Sequence, residues 1–166
     1  MIIEPVIVQR APQPYASIQN SVPMGSLGIR LPPEISEVFA WLAAHGIAPA
    51  GPPFWKYNVI DTDGTLDVEV GVPTVTTFTG DDRVTCGTLP GGSYAIAHHV
   101  GHPDTLLEAT RDFLDWAEEN GVHWSVTATQ PERWDARLEE YLTRPDDQPD
   151  MNQWETNLAF KIADTV

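Results

Sequence analysis

The sequence predicts an α+β fold: two strand–strand–helix–strand–strand halves related by a pseudo-twofold axis, with antiparallel sheets, one helix per half and a central ligand cleft. Three observations lead there. Two segments carry a helical period, the other apolar stretches are short runs bounded by turn residues, and the two helical segments resemble one another.

The first helix is expected in L-P-P-E-I-S-E-V-F-A-W-L-A-A-H-G, where Ile35, Val38, Phe39 and Leu42 fall at i, i+3, i+4 and i+7. Pro32 and Pro33 suit its entry, Glu34 and Glu37 its positive end, and Gly46 its stop. The second is expected in H-P-D-T-L-L-E-A-T-R-D-F-L-D-W-A-E-E-N-G, opened by Pro103 and Asp104 and closed by Gly121. Leu106, Leu107, Phe113 and Leu114 form its apolar stripe. Aligning V-F-A-W-L-A-A-H-G-I with F-L-D-W-A-E-E-N-G-V matches Trp41 to Trp116 and Gly46 to Gly121, and Tyr15-Ala16 likewise matches Tyr94-Ala95. Matches in the same order imply a duplicated module. Strands are expected at about 3–9, 14–20, 54–60, 66–73, 83–89, 93–100, 137–143 and 154–162. Turn signals bound several of them: Asp63-Gly64, Gly80-Asp81-Asp82 and Pro90-Gly91-Gly92. Residues 1–166 then form one domain of two repeats, about 1–80 and 81–166.

The repeat places a candidate site. F-W-K-Y-N (Phe54 to Asn58) aligns with L-E-E-Y-L (Leu138 to Leu142), setting Trp55 against Glu139 and Tyr57 against Tyr141. Strand alternation puts all four on one face and Glu140 on the other. With each helix covering one sheet face, the opposite faces are expected to meet at a cleft lined by three aromatic rings and one acid. A bare solvated sheet face is the alternative, and three such rings would make an unusual exposed patch.

Composition narrows the partners. The chain has 24 acidic and 9 basic residues, a net charge of −15. Such a surface repels phosphate backbones and anionic headgroups, so neither nucleic acid nor a membrane surface is an expected partner, and cationic molecules are weakly favoured. The opening M-I-I-E-P-V-I-V-Q-R lacks signal-peptide character, no apolar run approaches membrane-spanning length, and a cytoplasmic location is expected. The first strand is expected from about the third residue, which leaves no room upstream for a DNA-binding domain.

Other chemistries find little support. Asp61-Thr62-Asp63-Gly64 reads as a hairpin turn, because Thr65 and Leu66 stand where a calcium loop needs its third ligand and glycine. His98, His99 and His102 lie close together, but adjacent strand residues face opposite ways, so no metal site is expected. His99 is kept as a candidate cleft residue. Gly91-Gly92-Ser93-Tyr94-Ala95 lacks the closing glycine of a nucleophile elbow. Cys86, the single cysteine, reads as a buried structural thiol. No phosphate or dinucleotide motif is present and no cofactor is expected.

G-P-P-F-W-K-Y, L-D-V-E-V-G-V-P, Y-A-I-A-H-H-V-G-H-P-D-T-L, E-E-Y-L-T-R-P and W-E-T-N-L-A-F, in this order, resemble the GyrI-like small-molecule-binding domains. That family includes the gyrase inhibitory protein, effector domains of multidrug-sensing regulators and stand-alone binding proteins. The resemblance implies a duplicated module with a central cleft in which Glu139 meets lipophilic cations among Trp55, Tyr57 and Tyr141. The segment before Glu139 is R-W-D-A-R-L, where the family frequently has a proline–tryptophan pair.

Three functions follow. The first is a stand-alone multidrug-type binding protein for lipophilic aromatic, often cationic compounds, held by Trp55, Tyr57, His99, Glu139 and Tyr141. The second is hydrolysis of cyclopropane-bearing electrophiles, an activity the resemblance suggests, with Glu139 as general base and Tyr141 or Tyr57 as hydrogen-bond donor. The third is a protein–protein inhibitor such as a gyrase inhibitor, acting through its acidic surface.

Overall fold

The computed structural model describes residues 2–26, 31–61, 63–127 and 131–164. Its elements run β1 (Ile2–Arg10), β2 (Gln13–Pro23), α1 (Pro32–Ala44), β3 (Phe54–Ile60), β4 (Thr65–Pro73), β5 (Thr85–Leu89), β6 (Gly92–Val100), α2 (Leu106–Glu119), β7 (Glu132–Arg133), β8 (Arg137–Tyr141) and β9 (Glu155–Lys161). A 3₁₀ turn at Pro103–Thr105 precedes α2.

The strands form one curled antiparallel sheet in the order β1-β6-β9-β8-β3-β4-β2-β5, with the short β7 beside β3. The two halves thus share a single sheet and meet where β3 pairs with β8. There Phe54 faces Glu140, Trp55 faces Glu139 and Lys56 faces Leu138. Exchanging positions 54, 55 and 56 with 138, 139 and 140 maps these three pairs onto themselves, so the pseudo-twofold axis crosses the Trp55–Glu139 pair. The same exchange relates Phe54–Gly71 in β3–β4 to Leu138–Ala159 in β8–β9. The first strand of each half is traded: β1 pairs with β6, and β5 pairs with β2. Each half completes the sheet of the other.

Cross-strand partners in an antiparallel ladder lie on one face. A row on that face runs Ile18, Val70, Trp55, Glu139, Leu158, Ala97 across the sheet. Helix α1 packs Val38 and Leu42 against Ala16, Ile18 and Val72 at one end of this face. Helix α2 packs Phe113, with Ala109 and Ala117, against Ala95, Ala97, Leu158 and Phe160 at the other. Both helices therefore cover the face that carries Trp55 and Glu139, and not the opposite one as expected from sequence. The reason is geometric. An axis perpendicular to a single sheet exchanges its ends and preserves its faces, so two related helices land on one side and flank the axis. The opposite face has its own core of Tyr15, Phe54, Tyr94, Leu138 and Ala159.

Within α2 the expected stripe is shifted. Phe113 is buried and Leu106 and Leu114 pack at its edge, but Leu107 is 64% exposed, and Ala109 and Ala117 take the inward places. The helix starts only at Leu106, after the 3₁₀ turn, so its phase differs from a reading begun at Pro103. The two helices end alike. Gly46 and Gly121 have φ of 68° and 67°, and the Ile47 and Val122 amides bond back to the Leu42 and Ala117 carbonyls at 3.0 and 2.8 Å. Such a left-handed residue, with the six-to-one bond closing over it, satisfies carbonyls that a helix end leaves open.

Candidate functional site

Strand β3 alternates F-W-K-Y-N. Phe54 and Lys56 are buried on the face away from the helices, while Trp55 and Tyr57 stand on the helix face, half-buried. Strand β8 does the same with R-L-E-E-Y: Leu138 and Glu140 face away, and Arg137, Glu139 and Tyr141 share the helix face. The pairing of β3 with β8 then gathers Trp55, Tyr57, Arg137, Glu139 and Tyr141 over the pseudo-twofold axis.

The Tyr57 hydroxyl donates to Glu139 Oε1 at 2.8 Å and the Tyr141 hydroxyl to Oε2 at 2.8 Å. Trp55 meets Tyr141 edge to face, with centroids 5.3 Å apart. The Trp55 indole N–H is buried and has no acceptor among the described residues. Burial pushes the Glu139 carboxyl above the usual carboxylate range, although the Tyr57 and Tyr141 hydrogen bonds and the Arg137 charge pull the other way. Burial and the neighbouring Glu139 raise both tyrosines well above the ordinary phenol value. The result is a carboxylate oriented through both oxygens in aromatic surroundings, each oxygen retaining a lone pair for a further partner.

Glu140 has a different environment. Its carboxylate takes a two-pronged contact from Arg10, at 2.9 and 3.0 Å, on the face away from Glu139. His99 shares the helix face and is buried, but it lies two strands from Tyr141 through Thr156. Its Nε2 pairs with Thr105 Oγ1 at 2.8 Å, which ties the ring to the turn before α2 and apart from the Glu139 cluster. Burial lowers its pKa. His98 points the other way, between Asn157 at 2.8 Å and Glu155 at 2.9 Å. Cys86 is half-buried on β5, less covered than expected. Thr62 of the 61–64 turn lies outside the described residues.

Two features escaped the sequence reading. Glu69 is buried on the face away from the helices, where it accepts from Tyr15 at 2.9 Å, Ser17 at 2.8 Å and Asn58 at 2.7 Å, with Lys56 at 3.5 Å. These partners outweigh burial and hold its carboxyl below the usual range. Asp67 and Glu69 alternate onto one strand face, a pattern that suggests solvent; the signal against it is polar Ser17, Lys56 and Asn58 on neighbouring strands. The second is Arg137, whose guanidinium lies over the rings of Trp134 at 4.6 Å, Phe160 at 4.8 Å and Tyr57 at 6.0 Å.

The sequence profile of the GyrI-like small molecule binding domain matches residues 3–163. Among solved structures, the C-terminal domain of EcmrR superposes with a TM-score of 0.77 at 19% identity, covering 98% of each chain. In the complex of EcmrR with DNA, the chain spans 58% of the EcmrR length. A hydrolase from Listeria innocua superposes with a TM-score of 0.64 at 13% identity over 96% of this chain and 92% of that one. SAV2435 bound to tetraphenylphosphonium gives 0.59 at 13% identity, over 97% and 94%. At these identities the likeness is one of fold. No curated protein matched.

Proposed function

This chain belongs to the GyrI-like small-molecule-binding domains, and we propose that it captures lipophilic aromatic cations on the face between its two helices. The observation that carries this reading is Glu139. Its carboxylate stands on the pseudo-twofold axis among Trp55, Tyr57 and Tyr141, with both oxygens oriented by tyrosine hydroxyls and no ion pair to any described residue. A carboxylate so desolvated gains from a cationic partner. Each aromatic face that the cation meets adds about 0.5–2 kcal/mol. Ring walls impose few directional bonds, so a range of shapes is accepted. The two similar halves, about 1–80 and 81–166, are read as repeats of one module in which Trp55 and Glu139 occupy the same place. A single acid at that shared place suits a singly charged ligand.

Tetraphenylphosphonium, the ligand of the SAV2435 structure, and tetraphenylborate, its anionic counterpart of the same shape, provide the test. Calorimetric titration is expected to show a preference for the cation, and Glu139→Gln is expected to weaken it by roughly 5–30-fold, about 1–2 kcal/mol. Equal binding of both ions by the wild type would sink the reading.

A hydrolytic reading is favoured by one feature of the same cluster. A carboxylate with a raised pKa beside two hydroxyl donors is suited to deprotonate water while a tyrosine stabilises developing negative charge. Prolonged incubation with cyclopropane-bearing electrophiles, followed by product analysis, separates this from capture alone.

A further inference from the structure

Arg137 opens β8 two residues before Glu139, on the same face. It lines a groove of about 380 Å³ beside the C-terminal end of α2, with walls of Leu114, Val122, Trp124, Val126 and Trp134. That volume lies within the range of about 300–1,000 Å³ typical of small-molecule sites. A guanidinium carries five donors and no acceptor, yet Arg137 makes no hydrogen bond or ion pair with any described residue. Two carboxylates border the groove. Glu132 accepts the Trp134 indole N–H at 3.4 Å, Glu118 is exposed at the rim, and neither is ion-paired with Arg137. Three aromatic rings lie against the guanidinium, so cation–π contact positions it, half-buried, with its N–H groups not committed to an oxygen of any described residue. A half-buried guanidinium lining the groove has donors to offer there, and a ligand oxygen that meets them gains a charge-assisted hydrogen bond.

We propose that this groove is a binding site for a flat apolar molecule that presents a carbonyl or carboxylate oxygen to Arg137. The site stands on Arg137 and the groove, not on Glu139, so it extends the cation-capturing cluster without depending on it. Molecules long enough to reach both would carry their cationic or apolar end to Glu139 and their oxygen to Arg137.

Three naphthalenes of similar size test it by equilibrium dialysis: 2-acetonaphthone with a neutral carbonyl, 2-naphthoate with a carboxylate, and 2-ethylnaphthalene with no acceptor. The wild type is expected to bind at least one oxygen-bearing probe about tenfold or more tightly than 2-ethylnaphthalene, as one charge-assisted hydrogen bond supplies. Whichever oxygen probe is preferred identifies the source of the acceptor. Arg137→Met keeps the bulk over the rings and is expected to abolish the preference. Leu114→Trp narrows the groove without touching the guanidinium and is expected to weaken all three probes, which decides the matter should Arg137→Met fail to fold. No preference in the wild type, a preference that survives Arg137→Met, or unchanged binding in Leu114→Trp overturns the proposal. Loss of phosphonium binding alone would count against the Glu139 reading and not this one.

Discussion

Adjacent residues of β8 carry identical side chains in opposite settings. Glu140 sits in an ion pair with Arg10, and Glu139 sits between two tyrosine hydroxyls. The difference predicts opposite consequences for one substitution. Glu139→Gln is expected to weaken tetraphenylphosphonium, whereas Glu140→Gln is expected to leave ligand affinity unchanged and to cost up to about 1 kcal/mol of stability through the lost pair. Titration and urea unfolding of both variants check this. The pKa direction of Glu139 adds a pH dependence. Its folded-state pKa lies above the ordinary carboxylate value, so protons compete with a bound cation at a pH where an exposed glutamate is still ionised. Phosphonium affinity is therefore expected to fall as pH drops through that raised value, and to stay flat in Glu139→Gln. The linkage to stability has the opposite sign. A raised folded-state pKa gives a contribution present below the unfolded value and lost as pH rises through the folded one. The unliganded wild type is accordingly expected to gain stability relative to Glu139→Gln on acidification from neutral pH toward the ordinary carboxylate value, measured as the difference between their urea midpoints. Affinity that is independent of pH in the wild type would remove the carboxylate from the binding reaction.

At the level of elements, the helix stops show how local rules set the scaffold. Gly46 and Gly121 close α1 and α2 in the left-handed region, with the same pair of backbone bonds in both halves. A Cβ at either position meets open space, so any cost of substitution is conformational and not a clash. Gly46→Ala and Gly121→Ala are each expected to cost about 1–2 kcal/mol and to lower Tm by roughly 2–8 °C, by similar amounts if the caps are equivalent. Thermal unfolding of the two variants reads this directly. Beyond its cap each helix leads into a different connection. Residues 45–53 return to β3 quickly, whereas the longer stretch from Asn120 to Ala136 carries Trp124, β7 and Trp134 before reaching β8. That asymmetry opens the groove beside Arg137 on one side of the axis.

For the molecule as a whole, charge and topology act together. The chain of 166 residues carries a net charge of −15. It raises the local concentration of cations and repels polyanions at low ionic strength. No retardation of duplex DNA is expected at micromolar protein, in low salt or high; a shift that weakens with added salt would contradict this. The traded strands β1 and β5 bind the two halves into one sheet. A cut between β4 and β5, with the two pieces parted, would separate β1 from β6 and β5 from β2, so neither piece retains a complete sheet.

Much of this architecture is legible in short stretches of chain. The 3.6-residue period and terminal glycines mark both helices, and strand alternation alone separates Trp55, Tyr57, Glu139 and Tyr141 from Lys56 and Glu140, because these features depend on neighbours a few residues away. The aligned halves also bring β3 and β8 into correspondence, and the −15 charge follows from composition. What depended on tertiary structure was every relation between distant segments. Which face the helices cover was decided by joining two sheets into one, since an axis normal to a shared sheet preserves its faces. The burial of Glu69 was decided by what the neighbouring strands bring to it, Tyr15 and Ser17 from β2 and Lys56 and Asn58 from β3. His99 was drawn toward Thr105 and away from the cluster by the turn before α2. Arg137 is an ordinary charged residue in R-W-D-A-R-L until Trp134, Phe160 and Tyr57, contributed by three separate strands or connections, close around it. Period and propensity act along the chain, but the pairing partner of a strand and the wall of a groove are set by contacts across it, and these have no local signature.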